Sequence, residues 1–288
     1  MSITIHPSNI TWDTFGNLET FEPKWLEERD HWENFIEALF HSNGLSYTPS
    51  TDSNVEACIL SEEKAAFSSM ISHLLPRLEE CTDLAEINTV LMAHWTPDLH
   101  LGTSVVNHVI HTLGLAPDSF GLAISDRGLS APLFALDCLA NYLNTAANPG
   151  LLLISDQKNL LYKSDLITSK KPENSACILK VESGGEGWQY QGYRRVDDVT
   201  PQELGATIRC IQTELELSPS ACIIASDPCL TLLPCFSERI ATDEHLLCSA
   251  PFVALQSKGR VEHDHLMVIY EDGLLYTAGF KGQEEPCA

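Results

Sequence analysis

Two kinds of apolar patterning alternate along this chain. Short runs of β-forming residues bounded by turn residues predict buried strands, and longer stretches with apolar residues three and four apart predict helices. The stretch Ser119–Leu143, SFGLAISDRGLSAPLFALDCLANYL, joins one of each. Phe120–Ile124 predicts a buried strand and Ser125–Gly128 a polar turn. Leu133, Leu136, Leu139, Ala140 and Leu143 then predict a helix, with Pro132 in its first turn, where a missing N–H costs nothing. A strand running through a tight turn into a buried helix is a place where α/β enzymes mount a nucleophile.

The same patterning fills in the rest. Ile3–His6 predicts a short strand, and Lys24–Phe40 an amphipathic helix through Trp25, Trp32, Phe35, Ile36, Leu39 and Phe40. The Ser, Thr, Asn and Pro of His41–Asn54 predict a loop. Ser61, followed by Glu62 and Glu63, suits the N-cap of a helix reaching Glu80, kinked at Pro76. A strand at Ile87–Ala93, a loop at His94–Gly102 and a helix at Thr103–Leu113 precede the central stretch. Gly150–Ser155 predicts a second buried strand, and Ser175–Val181 and Trp188–Tyr193 a pair joined by the Gly184–Gly187 turn. A shorter series follows from Thr200: helix Pro201–Leu215, strand Ala221–Ala225, helix Cys229–Arg239, helix Pro251–Leu255, then strands His265–Tyr270 and Leu274–Gly279. Alternating β and α elements with buried strands predict a mostly parallel sheet with helices on both faces. Residues 1–194 form the first half and 195–288 an abbreviated echo of it.

Composition narrows the function. A net charge of -23 on 288 residues argues against nucleic acid and against an anionic membrane surface. The start, MSITIHPSN, has no basic flank or apolar core of the kind a signal peptide needs, and no apolar run is long enough to span a membrane. Ten cysteines lie mostly in apolar runs with no C-x-x-C pair, which fits buried thiols in a reducing cytoplasm.

The order of features resembles a type III ketoacyl synthase of the thiolase fold. His-Trp-Thr-Pro-Asp (94–98) and the helix ending Thr-Leu-Gly-Leu (112–115) are similar to that family's T-x-T-P-D and "LG" helix. Glu173-Asn174-Ser175-Ala176 stands where the family has Gly-Asp-Gly-Ala, and Ile269–Phe280 resembles its last hairpin. The resemblance implies an α/β, thiolase-like αβαβα fold of two related halves, the second shortened. It also implies a mechanism in which a Cys thiolate attacks an acyl thioester while His and Asn stabilise an enolate. Carried over residue by residue, the Cys slot holds Leu129, the His slot Ser226, and the Asn slot falls near His245. All three are changed. The resemblance within the family is to the non-catalytic subunit of bacterial 2-alkyl-4-quinolone synthases, which pairs with an active sister. It implies no catalytic residue, no cofactor, no metal, and a partner subunit carrying Cys, His and Asn. Trp95, Leu101, Phe120, Leu122 and Ile124 would face that partner.

Rival chemistry is also present. Ser130 in Gly-Leu-Ser-Ala-Pro is close to a G-x-S-x-G elbow, and Asp227 with His245 or His265 follows in hydrolase order. Pro132 replaces the second Gly, and no His-Gly-Gly oxyanion loop lies upstream; as a helix N-cap Ser130 has a simpler role. A stand-alone acyltransferase or esterase using Ser130 or a relocated thiol, and a homodimer binding an acyl chain, are the alternatives. Glu262-His263-Asp264-His265 has metal-like residue types without a third cluster, and suits a solvated loop. Asp126-Arg127 could plug a pocket, cap the following helix or form an ordinary turn ion pair. His108 and His111 could form a proton relay but better suit an interface or a satisfied core, and Glu182-Ser183-Gly184-Gly185, with no Lys-Ser/Thr or helix behind it, suits a hairpin turn rather than a phosphate loop.

Overall fold

The structure is a computed structural model and describes residues 3–144 and 148–283. Its strands are β1 (Ile3–Ile5), β2 (Ile10–Phe15), β3 (Thr89–Ala93), β4 (Phe120–Ile124), β5 (Gly150–Asp156), β6 (Asn174–Ser183), β7 (Trp188–Val196), β8 (Cys222–Ala225), β9 (Arg239–Ala241), β10 (His265–Glu271) and β11 (Leu274–Lys281). The helices are α1 (Lys24–Glu27), α2 (Arg29–Ser42), α3 (Pro49–Asp52), α4 (Val55–Leu60), α5 (Phe67–Glu79), α6 (Val105–Thr112), α7 (Ala131–Leu143), α8 (Asp165–Lys170), α9 (Leu204–Glu214), α10 (Asp227–Thr231) and α11 (Ala250–Lys258). The hydrogen-bonded path runs β4-β3-β5-β6-β1-β7-β11-β10-β8-β9, with β2 paired to β6.

The layering follows from which apolar faces meet. Apolar side chains of α5 and α6 bury against one face of β3, β5 and β6. The opposite face of those strands meets α7, which packs in turn with α11 and the inner face of β10 and β11. α9 and the residues around α10 cover the outside of β8, β10 and β11. Helix, sheet, helix, sheet, helix is thus the order, the thiolase-like arrangement. α7 can sit in the middle layer because Leu133, Ala135, Leu136 and Leu139 are all fully buried; small and large apolar residues surround it on more than one side.

The sheet is mixed rather than mostly parallel. β3 runs parallel to β4 and β5, and β8 parallel to β9 and β10, while β1, β2, β6, β7 and β11 form antiparallel pairs. Hairpins such as β10–β11 close with tight turns and so cannot be parallel.

Several elements depart from the periodicity. The helix expected over Lys24–Phe40 breaks at Glu28 into α1 and α2. Ser61 is not an N-cap but follows the last residue of α4: its Oγ accepts from the Glu63 amide in a loop, and α5 begins at Phe67. The expected helix Cys229–Arg239 stops at Thr231, and Arg239 opens β9 instead, because parallel pairing with β8 outcompetes a segment already interrupted by Pro234. The strand Phe120–Ile124 forms over the expected residues but is not buried. It is the outermost strand, and only Ile124 of its five residues is buried.

Among the described residues, no helix is long and apolar enough to cross a membrane.

Candidate active site

The turn after β4 sets the first wall of a cavity. Gly128 takes a φ of 55, the left-handed conformation that lets the chain reverse into α7. The Arg127 carbonyl then accepts both the Ser130 amide (3.2 Å) and the Ser130 hydroxyl (2.8 Å), which ties the turn to the helix start. Leu129 lies between these two anchors and lines the cavity.

Ser226, at the C-terminal end of β8, and Cys229 in α10 form the second wall. The third comes from the segment before α11. Leu247 has φ 44 and ψ -117, an unfavourable conformation for a branched, non-glycine residue. Its neighbours hold it there. The Cys248 amide donates to Asp156 Oδ2 (3.0 Å), the Ser175 hydroxyl to the Leu246 carbonyl (3.3 Å), and the Glu173 amide to the His245 carbonyl (2.9 Å). The side chain thus fixed lines the same cavity of about 230 Å³.

Charge enters at one edge. Lys170 Nζ lies 3.2 Å from Glu244 and 3.8 Å from Glu271, and all three line the cavity. Burial raises the Glu271 carboxyl above the usual range, and the Lys170 charge partly offsets this.

Beneath the site, Asp156 is fully buried at the end of β5. Its Oδ1 accepts from the Trp95 amide (2.9 Å), the Thr96 amide (2.8 Å) and the Thr96 hydroxyl (3.0 Å). One carboxylate therefore ties the loop after β3 to the segment bearing Leu247. Burial raises its pKa, against the pull of these donors.

Of the three positions that the resemblance singles out, Leu129 and Ser226 come together in the cavity. His245 does not line it. Its ring faces away, with Nδ1 donating to the carbonyls of Lys170 (3.0 Å) and Lys171 (2.9 Å), and Leu247 occupies the third wall. No histidine lines this cavity among the described residues. Its thiol, Cys229, is 3% exposed, and burial pushes its pKa up to about 11, so sulfur there stays protonated near neutral pH.

The hydrolase arrangement is scattered. Ser130 is 1% exposed, with its hydroxyl directed to the Arg127 carbonyl. It precedes α7 in the N-cap position, yet makes no side-chain cap bond. Asp227 opens α10, and His265 is buried edge-on to Trp188 with ring centroids 5.9 Å apart. No hydrogen bond joins Ser130, Asp227, His245 and His265 among the described residues.

Other singled-out residues have local roles. The Arg127 guanidinium lies 3.9 Å from the centroid of the Phe134 ring, and its Nε is 3.9 Å from Asp126, so it braces α7 rather than plugging the cavity. Asp264 accepts the amides of Ser218 and Gly282. His108 pairs with the Ser72 hydroxyl at 2.8 Å. The expected interface residues divide: Phe120 and Leu122 are 41% and 44% exposed, Ile124 is buried in its own core, Trp95 is half-buried, and Leu101 lines a second cavity. Asp156, Leu247 and Cys229 escaped sequence reasoning. Asp156 alone left a signal, an acid closing the apolar run GLLLIS.

The fold has many solved counterparts. 3-Oxoacyl-(acyl-carrier-protein) synthase III from Aquifex aeolicus superposes with a TM-score of 0.62 at 10% identity, over 97% of this chain and 99% of that one. OleA from Xanthomonas campestris gives 0.66 at 11%, over 98% and 99%. The type III polyketide synthase 1,3,6,8-tetrahydroxynaphthalene synthase from Streptomyces coelicolor gives 0.62 at 13%, over 98% and 100%. No family model and no curated protein sequence matches the chain. The chain has the thiolase-like fold of ketoacyl synthase III enzymes, and its structural counterparts include condensing and acyl-transferring enzymes.

Proposed function

We propose that this chain is a catalytically silent subunit of a ketosynthase-III-like condensing enzyme, acting in acyl-chain or secondary-metabolite biosynthesis. The observation that carries this reading is the cavity where Leu129, Ser226 and Leu247 meet. Nucleophilic acyl transfer needs a thiolate or alkoxide beside a base. Here the wall at the nucleophile slot is a hydrocarbon, the lining thiol is held protonated, and no imidazole lines the cavity among the described residues.

The active partner would carry the Cys, His and Asn, form the acyl-enzyme and carry out the condensation. This chain would contribute shape. The outer edge of β4 has no strand beside it among the described residues, and it exposes Phe120 and Leu122. A second strand added there would complete main-chain hydrogen bonds and cover both side chains, as an obligate interface of more than about 2,000 Å² requires. The loop bearing Trp95 and Leu101, anchored on Asp156, would reach towards the partner.

The test is co-expression with a ketosynthase encoded by an adjacent open reading frame, one that retains Cys, His and Asn. A stable 1:1 complex, active only when assembled, is expected, with no acyl-enzyme on this chain by intact-mass spectrometry. Acyl transfer by the isolated chain would defeat the reading.

A further inference from the structure

A second cavity, also about 230 Å³, lies away from the candidate active site and shares none of its lining residues. Its walls are mostly apolar: Trp25 from α1, Trp32 from α2, Ile59 from α4, Leu99 and Leu101 from the loop after β3, and Leu161. Glu28, exposed, and His100, half-buried, also line it, and Lys64 is the one charged side chain buried in the lining. Lys64 is 2% exposed, an unusual state for a lysine unless it is paired.

No carboxylate lies within ion-pair distance of Lys64 among the described residues, although the chain has 40 acidic side chains. The neighbouring acids are engaged elsewhere. Glu63 pairs with Lys158, and Glu19 accepts from the Ser69 hydroxyl and faces His100. Glu28 lines the cavity from an exposed position without pairing to the ammonium. Lys64 Nζ donates to the Ile59 carbonyl, its one hydrogen-bond partner among the described residues. The rings of Trp25 and Phe21 flank the charge, with centroids 4.8 and 5.3 Å away. Burial lowers its pKa. A desolvated ammonium with two donors unspent, at the wall of an apolar cavity, is half of an ion pair.

We propose that this cavity binds a small monocarboxylate with an apolar tail. The carboxylate meets the Lys64 ammonium, and the tail lies among Trp32, Leu99 and Leu161. The volume is below the roughly 300–1,000 Å³ of drug-sized sites, so the ligand is a short straight chain or a single ring. This assignment concerns a site apart from Leu129 and does not depend on the silent-subunit reading.

Sodium octanoate labelled with ¹³C at the carboxyl carbon tests it, with octan-1-ol as a comparator of the same tail without charge. Titrated into the purified full chain at neutral pH, octanoate should bind saturably with a shift of the carboxyl resonance, and at least tenfold more tightly than octan-1-ol. Lys64→Met should weaken octanoate at least tenfold and abolish its advantage over the alcohol. Should that variant fail to fold by circular dichroism, Leu99→Trp, which fills the cavity from its half-buried side, decides instead by eliminating octanoate binding. Absence of saturable octanoate binding to the wild type, unchanged octanoate affinity in folded Lys64→Met, or unchanged affinity in Leu99→Trp would each overturn the assignment.

Discussion

The two oxygens of the Asp156 carboxylate are divided between Thr96 and Cys248. Oδ1 accepts the Thr96 amide and hydroxyl together with the Trp95 amide, and Oδ2 accepts the Cys248 amide. Every one of these partners is a donor. Asp156→Asn would turn an N–H₂ group towards at least one of them, whichever way the amide is flipped. We expect a loss of about 3 kcal/mol in urea unfolding, since buried donors are left unpaired. The protease sensitivity of both the Trp95 loop and the Leu247 segment should rise together. An unchanged midpoint would remove the anchoring role.

The cavity at Leu129 lacks a sulfur nucleophile with a base beside it. Leu129→Cys alone should give a thiol with an ordinary pKa of about 8.5, alkylated slowly at pH 7. Adding Ser226→His should lower the pH midpoint of iodoacetamide labelling at position 129 by about one unit or more, as an imidazolium favours the thiolate. Peptide-resolved mass spectrometry separates this site from the exposed Cys81, Cys210 and Cys235. Identical pH profiles for the single and double variants would mean that positions 129 and 226 do not communicate.

Leu122 is 44% exposed on the outermost strand. Leu122→Asp should leave the isolated chain within about 0.5 kcal/mol of wild type, as surface substitutions do. The same change should abolish the proposed 1:1 complex by light scattering. A complex that survives the charge would place the interface elsewhere.

His265 supplies a pH dependence. Burial lowers its pKa from 6.5 to about 4, so the folded state resists protonation that the unfolded state accepts. This contribution is present above pH 6.5 and is lost as pH falls from 6.5 towards 4; in full it is worth about 3 kcal/mol. His265→Phe keeps an aromatic edge against Trp188 and should flatten the fall of unfolding free energy over that range. An equally steep slope in the variant would assign it to another group.

Gly187 has φ 118, and a Cβ there would come within 2.3 Å of the Ile5 carbonyl oxygen. Gly187→Ala should therefore cost at least about 2 kcal/mol, combining backbone strain with a clash that no side-chain rotation relieves. A thermal melt at wild-type temperature would contradict this.

Local patterns were legible in the sequence, and long-range ones were not. α7 was readable because Leu133, Leu136, Leu139 and Leu143 carry its period within thirteen residues. The apolar composition of β4 was equally plain, but its place at the end of the sheet depends on what lies beside it. β2 and β9 went unread because each is defined by a partner, β6 or β8, far along the chain. At the site, flanking motifs singled out Leu129 and Ser226, and both line one cavity. Leu247 was not singled out, because its left-handed conformation is imposed by Asp156, Glu173 and Ser175 rather than by its own side chain. Lys64 follows a pair of glutamates with nothing in its local sequence to single it out, and only tertiary packing removes it from water.

The three residues of β1 pair with β6 on one side and β7 on the other, so the seam between the two blocks of the molecule is closed by a segment far from both partners along the chain. The Thr4 hydroxyl finds its acceptor at Gly184, 180 positions later. Contacts of such span form slowly. Each block can organise its own helices from contacts near in sequence, but joining the two must wait until β1 meets strands about 180 positions away.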